Sequence, residues 1–248
     1  MKYFAKIKYL GTHFHGFQVQ PGLRTVQGEL CIALREALGV EATVTGCSRT
    51  DAGVHANAFC ILINAPGATV PPKKLPLAIA RYLPGDLSLY NASHINDDFH
   101  PRYDAKAKEY VYKIRNSPIY DPFELGRVFF YPRKIDTDGF NNMLAAAEHF
   151  IGKHDFSSFM SEGSDIVDPV REIKYLKIVR RNASLFEVRI CADGFLYNMV
   201  RIIVGTLLEV SSGRIDPKSI PDIIASKKRS NAGMTAPPDG LYLNKVFY

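Results

Sequence analysis

Arg49 and Asp51 stand two residues apart in the stretch GCSRTDAGVHA at 46–56. An ionised carboxylate can act as a nucleophile or as an acid or base. A guanidinium can hold a phosphate through paired hydrogen bonds. The tetrapeptide Thr50-Asp51-Ala52-Gly53 also reads as an Asx turn with Gly53 at positive φ. The two readings are compatible, because a turn held between two strands presents its side chains rigidly.

Two other places carry chemical potential. In KEYVYKIRN at 108–116, Tyr110 and Tyr112 share one strand face. Such rings either pack in a core or stack on a nucleobase. Arg201 lies among Val200, Ile202 and Ile203 in an otherwise apolar helix. A buried arginine calls for a carboxylate partner, for which Asp51 is a candidate; otherwise Arg201 faces solvent. The chain has no GxxxxGK[ST], no GxGxxG after a strand, no HExxH and no Ser or Cys in a nucleophile elbow. Catalysis therefore falls to carboxylate, tyrosine, arginine or lysine. His13 and His15 are two apart, with no third metal ligand evident.

These residues need a scaffold, and the periodicities supply one. Residues 3–9 alternate as a strand, with Tyr3, Ala5, Ile7 and Tyr9 on one face. TVQGELCIALREALG at 25–39 places Val26, Leu30, Leu34 and Leu38 at four-residue spacing, between a Thr25 N-cap and a Gly39 stop. Strands are expected at 42–46 and 57–64, a short helix at 75–83 and a strand at 87–95. The second half repeats the mixture. It has a strand at 108–116, a helix at 136–152, and strands at 170–181 and 184–192 joined through Asn182-Ala183. Helices at about 196–211 and 216–227 and a last strand at 240–248 follow. The pattern predicts an α+β protein of two halves, 1–105 and 106–248, with largely antiparallel sheets.

Composition sets the outer limits. A chain of 248 residues with 46% hydrophobic content can build a real core. Its 31 Lys and Arg against 25 Asp and Glu give a net charge of +6, which suits a polyanionic partner. Cys31, Cys47, Cys60 and Cys191 form no CxxC pair and read as free thiols of a reducing compartment. MKYFAKIKYL alternates too regularly for a signal peptide. The apolar stretch at 195–210 is interrupted by Asn198, Arg201 and Glu209 and is unsuited to spanning a bilayer. A cytoplasmic protein is expected.

Taken in order, the segments carry a resemblance. GCSRTDAGVHA resembles the G-R-T-D-x-G-V-H-A motif of the tRNA pseudouridine synthase A family. KYLGTHFHGFQVQP at 8–21 resembles that family's YDGTxFxGWQxQ signature, and TVQGEL at 25–30 the helix start after it. DFHPRYDAKAKEYVYKI at 98–114 resembles its F-x-A-R-x-x-A-x-x-[KR]-x-Y-x-Y segment. GKHDFSSF at 152–159, FLYNMVRIIVGTLLEV at 195–210 and TAPPDGLYLNKVFY at 235–248 match three more. The departures are Leu10 for Asp, Phe17 for Trp, Ser48 for Gly, Pro101 for Ala, and Glu109 for a basic residue.

The resemblance implies a pseudouridine synthase fold of two similar halves with an active-site cleft between them. It implies a cofactor-free isomerase that converts uridines 38, 39 and 40 of the tRNA anticodon stem–loop to pseudouridine. Asp51 would be the catalytic carboxylate and Tyr110 the residue that packs on the target base. Arg201 would pair with the catalytic aspartate, and Arg49 would help hold the flipped nucleotide. A homodimer is implied, with tRNA reaching across both subunits. Lys6, Lys8, Arg24, Lys106 and Lys108 are candidates for phosphate contacts. Two other readings compete: a tRNA-binding module whose catalysis has decayed, and a hydrolase with a carboxylate pair. For the second, no convincing partner acid is present.

Overall fold

The computed structural model describes residues 1–163 and 166–248. They group into two compact units, residues 1–106 with 242–248, and residues 107–241. Strands and helices mix in both, and strand pairing is predominantly antiparallel, in keeping with the expected α+β class.

In the first unit, β1 (Lys2–Tyr9) alternates as its sequence dictates. Tyr3, Ala5 and Ile7 are fully buried and Tyr9 nearly so. This strand lies antiparallel between β3 (His55–Asn64) and β4 (Leu87–Ser93). The second edge of β3 is shared. β2 (Thr43–Gly46) runs antiparallel beside residues 61–64. Tyr242 and Leu243 of β10 (Leu241–Phe247) run parallel beside His55 and Ala56. The residues between β2 and β3 thus form a loop anchored at both ends, and this loop carries Asp51.

α1 (Val26–Leu38) starts and stops where its residue types demand. Thr25 Oγ1 accepts the Gly28 N–H, and Gly39 closes the helix in the left-handed conformation. Val26, Leu30, Ala33 and Leu34 form its buried stripe, and Leu75 and Ile79 anchor α2 (Leu75–Ala80). Each fully buried Val, Leu or Ile contributes roughly 1.5–3 kcal/mol.

In the second unit, β5 (Ala107–Asn116), β9 (Leu185–Ala192), β8 (Val170–Arg180) and β7 (Gly152–Asp155) form an antiparallel series in that order. β6 (Phe129–Tyr131) joins the end of β5 in parallel. Asn182 Oδ1 accepts the N–H groups of Ser184 and Leu185, which closes the turn expected there. α3 (Thr137–Glu148) is capped by Asp136 and packs on β8 and on α4 (Met199–Ser211).

Three sequence expectations are corrected. Residues 242–248, assigned by position to the second half, belong to the first unit, because β10 pairs with β3. The helix expected from about 196 begins at Met199, because Asn198 is left-handed at φ 61. The helix expected at 216–227 is a short 3₁₀ turn at Pro217–Ser219 followed by α5 (Ile220–Ser226). Pro217 and Pro221 each remove a backbone donor there.

Candidate active site

The Asp51 loop is held from several directions. Asp51 C=O accepts the Val54 N–H at 3.2 Å, a backbone turn in which Gly53 has the expected positive φ, at 80°. The segment 11–17 clamps this turn. Phe14 C=O accepts the Gly53 N–H at 3.2 Å, and the Phe17 N–H donates to Thr50 C=O at 3.1 Å. Tyr9 and Thr50 hydroxyls meet at 2.8 Å in the core. His55 is fully buried, takes the Gly11 N–H on Nδ1 at 2.8 Å and stacks on Tyr242. Gly16 sits at φ 84, and a methyl group there would come within 2.5 Å of Thr50 O, so only glycine permits this clamp. Between these anchors Asp51 is half-buried and Arg49 exposed. A carboxylate placed this way is presented by backbone that has little freedom to move.

The two tyrosines of β5 separate into different roles. Tyr112 is fully buried, and its hydroxyl donates to Pro237 O at 2.6 Å. Tyr112 is thus a core residue, and its burial pushes its pKa well above the ordinary phenol value. Tyr110 is 7% exposed, with its ring edge-on to Phe195 at 5.0 Å. Glu109, also buried, accepts the Tyr175 hydroxyl at 2.6 Å. Burial, with Glu109 adding to it, pushes the Tyr175 pKa up.

Arg201 is half-buried on α4. Its Nε donates to Ala236 O and one terminal nitrogen to Asn198 Oδ1, both at 2.7 Å. Asn198 in turn donates from Nδ2 to Ser161 Oγ at 3.0 Å. Asparagine tolerates the left-handed conformation better than most residues, and here that conformation places its amide beside the guanidinium. Sequence reasoning missed Asn198; the signal was a lone polar residue at the start of an apolar helix. Arg49 and Asp51 are thus brought together on one loop, while Tyr110 and Arg201 belong to the second unit.

A family model described as tRNA pseudouridine synthase matches residues 5–104 and 146–248. The chain belongs to the tRNA pseudouridine synthase family. That family is one of isomerases, and the match includes the whole Asp51 loop and the Arg201 helix. Relatives resemble the chain over their full length. The tRNA pseudouridine synthase A of Bacillus pumilus is 41% identical over 250 residues, covering 100% of this chain and 99% of that one. That of Acetivibrio thermocellus is 42% identical over 243 residues, covering 98% and 97%. The tRNA pseudouridine synthase A 2 of Clostridium tetani is 39% identical over 245 residues, again covering 98% and 97%.

Within this synthase-family chain, several departures from the family pattern serve packing. Phe17 is buried and stacks on Phe59 at 4.5 Å. Pro101 O accepts the Tyr248 hydroxyl at 2.9 Å. Glu109 is committed to Tyr175 as described. Among the expected phosphate contacts, Lys8 and Lys106 are exposed. Arg24 is corrected: its guanidinium is engaged by Asp86 through two 2.8 Å bonds and by Glu29 through a third. His13 and His15 are both exposed, and among the described residues no three His, Cys, Asp or Glu side chains converge. No helix among the described residues is long and apolar enough to cross a membrane. Among the described residues none of the four cysteines is in a disulfide.

Proposed function

We propose that this protein converts uridines 38, 39 and 40 of the tRNA anticodon stem–loop to pseudouridine, with Asp51 as the catalytic carboxylate. The glycosidic bond from N1 to C1′ breaks, the uracil turns, and C5 bonds to C1′. The proton on C5 leaves and N1 ends protonated, so the product is an isomer of the substrate. Attack at C1′, attack at C6 and proton removal from the ribose are three routes open to such a carboxylate. The observation that carries the reading is the half-buried Asp51 at the head of a turn clamped by residues 11–17.

A uridine in a stem must leave its stack to react, at a cost of a few kcal/mol. In this reading Tyr110 packs on the extruded base and offsets part of that cost. Arg49 and Arg201 hold the nucleotide. Asn198 and Ala236 O restrict the Arg201 side chain, so little of its freedom is lost on binding. The working form is a homodimer in the cytoplasm, as the family resemblance implies.

The test is incubation of unmodified tRNA with the protein, without added metal or nucleotide, followed by carbodiimide mapping of pseudouridine. Signals at positions 38–40 are expected. No signal at any anticodon-arm uridine overturns the proposal.

A further inference from the structure

Beside the Asp51 loop, within the first unit, lies an open hollow whose walls include Gln18, Thr45, Arg49, His100, Arg102 and Tyr103. No acidic residue lines it. Arg49 and Arg102 are exposed, and neither has an acidic partner among the described residues. The lining itself therefore carries positive charge, with the nearest carboxylates, Asp51 and Asp104, outside it.

Its rim carries Tyr103, which is 76% exposed. This exposed ring is ordered by its neighbours. It stacks on His100 with centroids 4.2 Å apart and planes 29° from parallel. His100 is fixed in turn. Its Nδ1 accepts the backbone N–H groups of Arg102 at 3.1 Å and Tyr103 at 3.3 Å, and the His100 backbone N–H donates to Asp104 Oδ2 at 2.9 Å. The Asp104 N–H returns to His100 O, and Pro101 beneath is buried against Tyr248. One face of the Tyr103 ring is thus covered by imidazole, while most of the residue stays exposed. The Arg102 guanidinium lies 6.0 Å from the ring centre.

An aromatic platform of this kind costs little conformational entropy to use, because its rotamer is already set. It matches a base whose face is free, which means an unpaired one, since a base inside a duplex has both faces covered. The adjacent guanidiniums match phosphate. Gln18 and Thr45 offer hydrogen bonds to base or sugar edges.

We propose that this hollow is a second nucleotide subsite: it takes an unpaired base of the RNA on Tyr103 and the adjoining phosphate at Arg102, apart from the nucleotide that reacts at Asp51. This inference rests on the tRNA reading above. It adds a contact that selects for loop structure near the target.

The chain contains no tryptophan, so Tyr103→Trp would carry its single indole at the platform. In an Asp51→Asn background, unmodified tRNA is expected to quench the indole emission in step with binding measured by filter retention. A fully paired RNA hairpin stem is expected to bind without that quench. Binding of tRNA with unchanged emission, or equal quenching by the paired stem, overturns the subsite. Independently, Tyr103→Ala is expected to raise the Kd for tRNA about tenfold, with Tyr103→Phe restoring it. An unaltered Kd for Tyr103→Ala also overturns it. Product formation by the unmodified protein is scored alongside. Product with a silent indole sinks the subsite alone, whereas absence of product sinks the isomerase reading.

Discussion

The Tyr9 and Thr50 hydroxyls lie 2.8 Å apart in the protein core. Tyr9 ends the buried face of β1, and Thr50 immediately precedes Asp51. The pair therefore ties the loop of the proposed catalytic residue to the buried face of β1. Tyr9→Phe leaves the buried Thr50 hydroxyl without this partner, at a cost of about 1–3 kcal/mol. Stability to urea is expected to fall by that amount, and turnover several-fold through a loosened loop. The double variant with Thr50→Val is expected to recover much of the stability, because both polar groups are then gone. Additive losses in the double variant would show that the two hydroxyls do not act as a pair.

Asp51→Asn keeps the shape of the side chain and removes its negative charge. Pseudouridine formation under single turnover is expected to fall by roughly 10²–10⁴-fold or below detection, the range for loss of an acid–base group. Filter-binding affinity for tRNA is expected to stay near that of the unmodified protein. Equal loss of rate and affinity would assign Asp51 a structural role instead.

Two variants divide the roles of Tyr110. Its ring stands edge-on to Phe195, and the residue is 7% exposed. Tyr110→Leu is expected to retain the fold by circular dichroism while the rate drops sharply, since the aromatic face is lost. Tyr110→Phe keeps that face and lacks the hydroxyl. A large rate loss in Tyr110→Phe would place the hydroxyl in proton removal from C5. A small one limits Tyr110 to packing, and an unchanged rate in Tyr110→Leu would remove it from the site.

Asn198→Gly isolates a side-chain effect. Glycine accepts the φ of 61 at this position, so the start of α4 is preserved. What disappears are the bonds to Arg201 and to Ser161. The expected result is a loss of single-turnover rate or tRNA affinity, with urea stability changed by about 1 kcal/mol or less. Loss of stability alone would count against a positioning role for Asn198.

The Arg24–Asp86 pair makes a prediction about acid. Its two hydrogen bonds from Arg24 hold the Asp86 carboxyl below the usual carboxylate range, against the opposing effect of burial. A carboxyl with a depressed folded-state pKa contributes stability above its unfolded pKa, near 3.9, and loses it as pH falls through the folded value. Arg24 stays protonated throughout and adds no pH dependence of its own. Asp86→Asn is therefore expected to cost about 1 kcal/mol at pH 7, the upper end for a partly exposed pair. That difference should shrink below about pH 4. A gap between the two proteins that stays constant down to pH 3 would refute the linkage.

Local pattern alone determined much of this protein. The two-residue period of β1, the caps of α1 and the Gly53 turn depend on neighbours a few positions apart, and the structure has all three. The ordered motifs likewise pointed to the family that the comparisons show. Partnership between distant residues was another matter. Arg24 read as a phosphate contact until the fold brought Asp86, 62 positions away, onto both of its terminal nitrogens. β10 read as the end of the second half until its backbone met β3. Asn198 and the His100–Tyr103 stack carried no periodic signal. Sheet register and loop closure decide which side chains meet, and both depend on the whole chain at once. Residue types told which chemistry was available; the tertiary structure decided which groups were free to perform it.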